Sequence, residues 1–280
     1  MRMAPFGGVG VRVSVVGQGT WNLERADEVQ AVAALRAGID AGMTHIDTAE
    51  LYGSGRAERI VGRAVAGRRD EVFIVSKVLP SNAAYGNAIA ACERSLERLG
   101  TDHLDAYLLH WRGDVPLEET VRAFEKLEAA GKIKAYGVSN FDVDDLEEAL
   151  AIAGEGRIAC NQVLYHLEER SIEHGVIPWC RQHDIAVVAY SPFGSGAFPA
   201  AESAAGKVLA DVAMQRGISM RQAALAFLTR RGEAFAIPKA ASARHALENA
   251  AAGDIELDDG AMRAIDAAFP AKRRRRLAMI

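Results

Sequence analysis

The sequence predicts a closed (β/α)8 TIM barrel, an α/β fold in a single domain spanning residues 1–280, and three observations predict it. Short β-branched runs alternate with longer amphipathic runs, and the alternation repeats eight times. The short runs are mostly apolar throughout, as strands buried on both faces of a parallel sheet are. The chain's 280 residues suit the roughly 250 that one such barrel uses. No Pro/Ser-rich linker or compositional break divides them.

The elements follow in order. Residues 14–17 read as the first strand and 26–41 as the helix behind it. Strands at 44–48, 71–77 and 105–110 lead to helices at 56–66, 87–99 and 117–130. Strands at 133–139, 158–163 and 185–191 lead to helices at 143–153 and 172–182 and to helical segments at 207–216 and 220–230. A short strand at 234–238 precedes helices at 243–252 and 259–268. Gly100, Gly131 and Gly217 sit where helices stop, the usual place for a left-handed residue. Ser219 and Ser242 stand as N-caps. Gly7, Gly8 and Gly10 mark a small hairpin over the barrel floor.

Composition narrows the function. Apolar residues make up 50% of the chain and charged residues 25%, the balance of a soluble globular protein and not of a disordered one. A net charge of −4 argues against a protein built to coat nucleic acid. Lys272 and Arg273 to Arg276 break the pattern with an unbroken basic run, within a C-terminal tail at 271–280. It reads first as a solvated tail, with a lid folded over a pocket as the second reading. Cys92, Cys160 and Cys180 are odd in number and form no CxxC pair, which fits a reducing cytoplasm. The sequence has neither a signal-peptide core near its start nor an apolar run of the roughly 20 residues that span a bilayer. No membrane partner is therefore expected.

Chemistry in such a barrel sits at the carboxyl ends of the strands. The second strand ends in Asp47, with Tyr52 in the following loop. The third ends in Lys77, the fourth in His110, and the fifth in Ser139 and Asn140. Asn161 and Gln162 end the sixth, Tyr190 and Ser191 the seventh, and the eighth leads to Lys239. One polar strand end means little, but repetition around the ring marks a functional site.

Asp47, Tyr52, Lys77 and His110 suit one task together. A phenol, with an ordinary pKa of about 10, is a slow acid near neutrality. An ammonium beside it favours the phenolate, and a carboxylate holds that ammonium charged. An imidazole opposite can hydrogen-bond an incoming carbonyl oxygen. Such a set delivers a proton to oxygen as negative charge develops there. It reduces nothing by itself, so a hydride source is required, and a nicotinamide is the usual one. Taken singly, Asp47 and Lys77 read equally as a structural ion pair, Tyr52 as a surface aromatic and His110 as a core histidine.

With these residues in place, the sequence resembles the aldo-keto reductase family, in particular its bacterial-type NAD(P)H-dependent members, over nearly its whole length. The motifs are residues 42–53 (GMTHIDTAELYG), 75–77 (VSK), 109–111 (LHW), 137–141 (GVSNF), 161–163 (NQV), 190–192 (YSP), 237–239 (IPK) and 248–249 (EN). The resemblance implies a (β/α)8 barrel that reduces aldehydes and ketones with NADPH, NADH being open. It implies Tyr52 as proton donor, Lys77 and Asp47 as the pair that lowers its pKa, and His110 as the residue that orients the carbonyl. By the same resemblance, Thr20, Trp21 and Asp47 join the cofactor contacts. Ser139, Asn140 and Gln162 match the carboxamide-holding positions, Tyr190 the ring that stacks on nicotinamide, and Ser191 a pyrophosphate contact. Lys239, Glu248 and Asn249 match the adenosine end. NADPH-preferring members carry Ser or Thr after the lysine and Arg six positions beyond it, whereas this chain has Ala240 and His245, with Arg244 adjacent. Trp21 and Trp111 match walls of a substrate pocket that also holds Tyr52 and His110. Phe193, Phe198 and residues 194–196 (GSG) read as a mobile flap. A small carbonyl compound is the implied partner, and the implied state is a monomer or weak oligomer.

Other readings are weaker. A doubly wound open sheet would want G-x-G-x-x-G after its first strand, which residues 53–55 (GSG) do not supply. His45, Asp47, His110 and Asp105 could be metal ligands. At roughly 3.3 Å per residue, however, Asp105 and His110 stand at opposite ends of one strand. A Schiff-base aldolase would use Lys77 or Lys239. A slow or non-catalytic, redox-sensing subunit would keep the cofactor pocket.

Overall fold

The computed structural model describes residues 1–274 and 276–280. An antiparallel hairpin comes first, β1 (Met3–Pro5) against β2 (Arg12–Ser14), with Met3 opposite Ser14. The barrel then opens with β3 (Gln18–Gly19), α1 (Glu28–Asp40), β4 (His45–Asp47) and α2 (Arg56–Val65). Next come β5 (Phe73–Val78), α3 (Tyr85–Leu99), β6 (Ala106–Leu109) and α4 (Leu117–Ala129). They are followed by β7 (Tyr136–Ser139), α5 (Val143–Ala153), β8 (Ile158–Leu164), α6 (Val176–Gln182) and β9 (Ala186–Tyr190). The last elements are α7 (Ala204–Gln215), α8 (Met220–Leu228), β10 (Phe235–Ala236), α9 (Ala243–Ala251) and α10 (Asp259–Ala268).

Strands β3 to β10 lie side by side in chain order, and every neighbouring pair is parallel. The first and last strands meet. The Gly17 N–H donates to Ala236 O (2.8 Å), the Ala236 N–H to Val15 O (2.9 Å), and the Gly19 N–H to Pro238 O (3.1 Å). The sheet is therefore a closed barrel, as the eight alternating units predict. Gly19 permits the closure, because a Cβ there would stand 2.4 Å from Ile237 O. Each strand from β4 to β8 is buried along almost its whole length, which explains the continuous apolar runs.

The floor is plugged by the hairpin. Phe6, fully buried, packs its ring against Phe73 at 4.9 Å, Phe235 at 5.2 Å and His45 at 5.6 Å. The expected first strand at 14–17 falls between β2 and β3: one apolar run serves first the hairpin and then the barrel. The expected helix at 172–182 is also divided. A 3-10 turn (Ser171–His174) and α6 meet at Gly175, whose φ/ψ of −145°/−70° interrupts the helical path. Ser219 and Ser242 do cap α8 and α9, accepting from Gln222 N and His245 N.

Candidate active site

Parallel closure brings the strand ends into one ring. At its centre Lys77, fully buried on β5, donates to Asp47 Oδ2 (2.8 Å), Thr48 O (2.9 Å) and Tyr52 Oη (3.2 Å). Three ammonium protons meet three acceptors, so the buried cation is satisfied. Asp47 accepts a second bond at Oδ1, from Gln162 Nε2 (2.7 Å). Burial works against the Lys77 ammonium, but Asp47 and then Tyr52 outweigh it and hold its pKa above the ordinary lysine value. Lys77 thus favours the cation, whereas a Schiff-base mechanism works through the free amine.

Tyr52 is pulled both ways. Its burial raises the phenol pKa above 10.0, Lys77 pulls it back, and Asp47 adds to the rise. The net shift is upward because desolvation outweighs the ammonium's attraction; Lys77 itself lowers the pKa as expected, and Asp47 does not. Burial likewise raises Asp47, against the pull of Lys77 and Gln162. The Tyr52 oxygen accepts from Lys77, so its own proton is free to point elsewhere.

His110 faces Tyr52 edge-on, with ring centroids 5.7 Å apart, and leans on Trp111 at 4.9 Å. Burial, reinforced by Lys77, pushes its pKa down to about 2. The imidazole is therefore neutral near pH 7, with one N–H to donate. Its Nδ1 is buried without a partner among the described residues.

Two cavities meet over this group. One, of about 230 Å³, is walled by Trp21, Leu51, Trp111, Met279 and Ile280, with Tyr52 and His110 at its polar end. The other, of about 200 Å³, runs from Asp47 and Tyr190 past Ser191 and Ser195 to Lys239. Trp21, Tyr52 and Tyr190 line both. The second cavity has an aromatic face at the near end, hydroxyls along its length and an exposed cation at the far end. That donor set fits a flat ring joined to phosphates.

The remaining expected positions fall into two groups. Ser139, Asn140, Gln162 and Tyr190 do come together: Tyr190 Oη donates to Asn140 Oδ1 (2.8 Å), Asn140 Nδ2 to Ser139 Oγ (3.2 Å), and Ser139 Oγ to Gln162 O (2.8 Å). Thr20 lines the second cavity, but its hydroxyl already donates to Asp47 O (2.9 Å). Farther out, Arg244 and His245 are exposed and paired, Nη2 to Nε2, at 2.8 Å. Glu248 accepts from Ser219 Oγ (2.7 Å), and Asn249 is buried. Neither cavity is lined by these last four residues. Among the metal candidates, Asp105 is held at the far end of its strand by Arg69 (2.8 Å) and Lys134 (3.0 Å). His45 is enclosed by Phe6, Phe73 and Phe235.

Three residues of the first cavity escaped sequence reasoning: Leu51, Met279 and Ile280. The basic run before the last two is exposed where described, but it is not loose. Arg274 Nε lies 2.6 Å from Glu169 Oε2, and His174 Nε2 lies 3.0 Å from Ala271 O. Arg275 lies outside the described residues. The signal available was the apolar cluster Leu277, Met279 and Ile280 directly after the arginines.

A closed barrel with this ring of residues defines a class, and comparison with known proteins identifies it. Residues 15–269 match the aldo/keto reductase family, and the chain belongs to that family. It is 46% identical over 274 residues to methylglyoxal reductase YeaE of Escherichia coli (strain K12), covering 97% of this chain and 96% of that one. Glyoxal reductase of Bacillus subtilis (strain 168) is 36% identical over 258 residues, covering 92% and 90%. The crystal structure of an aldo-keto reductase from Klebsiella pneumoniae in complex with NADPH superposes with a TM-score of 0.93 at 46% identity, covering 100% of both chains.

Proposed function

We propose that this protein is an NADPH-dependent reductase of small aldehydes and ketones, with 2-oxoaldehydes such as methylglyoxal foremost. The observation that carries the reading is the buried Lys77 donating to Tyr52 Oη at the mouth of a small, mainly apolar cavity. The methylglyoxal and glyoxal reductases among the relatives support the substrate class. The NADPH-bound neighbour supports the cofactor.

Bound in the second cavity, the dihydronicotinamide supplies the hydride that no side chain can give. Tyr190 would form the ring face, Asn140, Ser139 and Gln162 the amide contacts, and Lys239 the phosphate end, with Arg244 and His245 beyond. The neutral His110 donates its N–H to the carbonyl oxygen and fixes its direction. Tyr52 then yields its proton to that oxygen as charge gathers on it. Lys77, hydrogen-bonded to the phenol oxygen, stabilises the phenolate left behind, and Asp47 keeps Lys77 charged. Trp21, Trp111, Met279 and Ile280 exclude water from the reacting carbonyl.

The reading extends to a monomeric or weakly associating cytoplasmic enzyme with no nucleic-acid or membrane partner. Three buried free cysteines support a reducing compartment. Among the described residues no helix is long and apolar enough to cross a membrane. The test is NADPH consumption with methylglyoxal and a panel of small carbonyls, alongside quenching of tryptophan fluorescence by NADPH and NADH. Turnover with methylglyoxal and tighter binding of NADPH are expected. Saturable binding without turnover of any carbonyl would instead favour a redox-sensing subunit.

A further inference from the structure

The loop that carries Tyr52 is held in an unusual way. After Tyr52, three consecutive residues are left-handed: Gly53 at φ 56°, Ser54 at φ 53° and Gly55 at φ 84°. Two of them are glycines, but Ser54 takes this conformation at a cost that its surroundings must offset. The surroundings are close. A Cβ on Gly55 would stand 2.4 Å from Arg98 Cδ, so the arginine stem lies directly against the turn.

Arg98 is itself fixed. Its Nε lies 2.5 Å from Glu58 Oε2, and its Nη2 donates to Ser95 Oγ (3.0 Å). Glu58, on the first turn of α2, is fully buried. Its second oxygen accepts from Ser76 Oγ at 2.6 Å. Ser76 precedes Lys77 on β5, and neighbouring residues of a strand point to opposite faces. While Lys77 reaches inward to Tyr52, Ser76 reaches outward to the carboxylate that holds the arm under Tyr52's loop.

We propose that Glu58 and Arg98 are positioning residues for the reaction, joining the Tyr52 turn to the Lys77 strand and so setting the Tyr52–Lys77 contact. The proposal rests on the reductase reading above. Neither residue touches the cavities, so both act through the groups they hold. The geometry is a bridge: Gly55 on Arg98, Arg98 on Glu58, Glu58 on Ser76, and Ser76 bonded to Lys77. Loosening one link lets the phenol oxygen drift from the ammonium, and reaction rates are steep in such displacements.

The test compares wild type with two variants. The double variant Arg98→Met with Glu58→Gln removes the ion pair and leaves no unpaired buried charge. Arg98→Lys keeps a cation for Glu58. For the double variant, kcat is expected to fall about tenfold or more, with NADPH affinity held within about twofold. Its kcat–pH profile is expected to shift, because the Lys77 contact governs when Tyr52 yields its proton. Arg98→Lys is expected to recover most of the rate. An unchanged kcat in the double variant overturns the proposal. So does a loss of kcat that merely follows the loss of folded protein, with the pH profile unmoved. A wild type without turnover would overturn the reductase reading instead. In that case the Tyr52 titration, followed by ultraviolet difference against Tyr52→Phe, still reads the positioning: an equal Tyr52 pKa in wild type and double variant would overturn it.

Discussion

Lys77 Nζ donates to Tyr52 Oη over 3.2 Å, and both side chains are buried. The phenol is thereby both desolvated and paired with a cation. Burial alone would make it too weak an acid, and Lys77 moderates that. Tyr52→Phe removes the transferable proton while leaving the ring in place. Carbonyl reduction is expected to fall by roughly 10²–10⁴-fold, the usual worth of a positioned acid. NADPH binding, measured by fluorescence titration, should stay close to that of wild type. Equal loss of both would mean that Tyr52 holds the cofactor.

Lys77 offers a second test, because it has a structural share as well as a chemical one. Lys77→Met leaves Asp47 buried without its cation, and one-sided loss of a buried pair costs about 3–5 kcal/mol. Chemical denaturation at neutral pH should show a loss of that order. Lys77→Met combined with Asp47→Asn removes the orphaned charge and should regain much of the stability, but none of the activity. A double variant no more stable than Lys77→Met would show that the pair is not the source of the loss.

The sequence disclosed the strands well, because burial on both faces makes each one an apolar run that needs no partner to be recognised. It disclosed the ring of polar strand ends for the same reason: each stands where an apolar run stops. What it could not disclose depends on tertiary packing. The run 13–16, Ser14 apart, is apolar whether it serves a hairpin or a barrel, so the first strand was displaced. The apolar periodicity runs on across Gly175, so the break there was marked only by the glycine itself and by Pro178 just beyond it. The direction of the Tyr52 shift turns on how deeply the phenol is buried, which no local pattern records. Met279 and Ile280 reach the pocket by way of long-range contacts, among them Arg274 with Glu169, more than a hundred residues earlier in the chain.

His45 makes the fold sensitive to acid, as does His110, whose pKa burial holds lower still. Neither ring nitrogen of His45 has a partner among the described residues, and the ring is packed edge-on to Phe6 and Phe73. Burial, with Lys77 adding to it, holds its pKa down at about 3 against an ordinary 6.5. Below that ordinary value the unfolded chain binds a proton that the native molecule refuses. Stability is therefore lost as pH falls from about 6.5 towards about 3, by an amount approaching roughly 5 kcal/mol at the lower end. His45→Leu should flatten the dependence of unfolding free energy on pH by about one proton across that window. An unchanged slope would assign the acid sensitivity to other groups.

The tail gives the last prediction. Arg274 is more than half exposed, whereas Glu169 is nearly buried, and their 2.6 Å contact is the described ion pair that ties the basic run to the barrel. With its cation this open to water, such a pair is worth about 1 kcal/mol. The contact is therefore strong enough to favour the docked tail and weak enough to release it. Met279 and Ile280 close one side of the substrate cavity, so releasing them should enlarge it. Arg274→Ala is expected to change kcat/KM for methylglyoxal by less than about fivefold while improving the relative rate with bulkier aldehydes. High salt should move wild type in the same direction and leave the variant unmoved, because screening weakens only a contact that is still there. An identical size preference in both proteins at every salt concentration would show that apolar packing alone seats the tail.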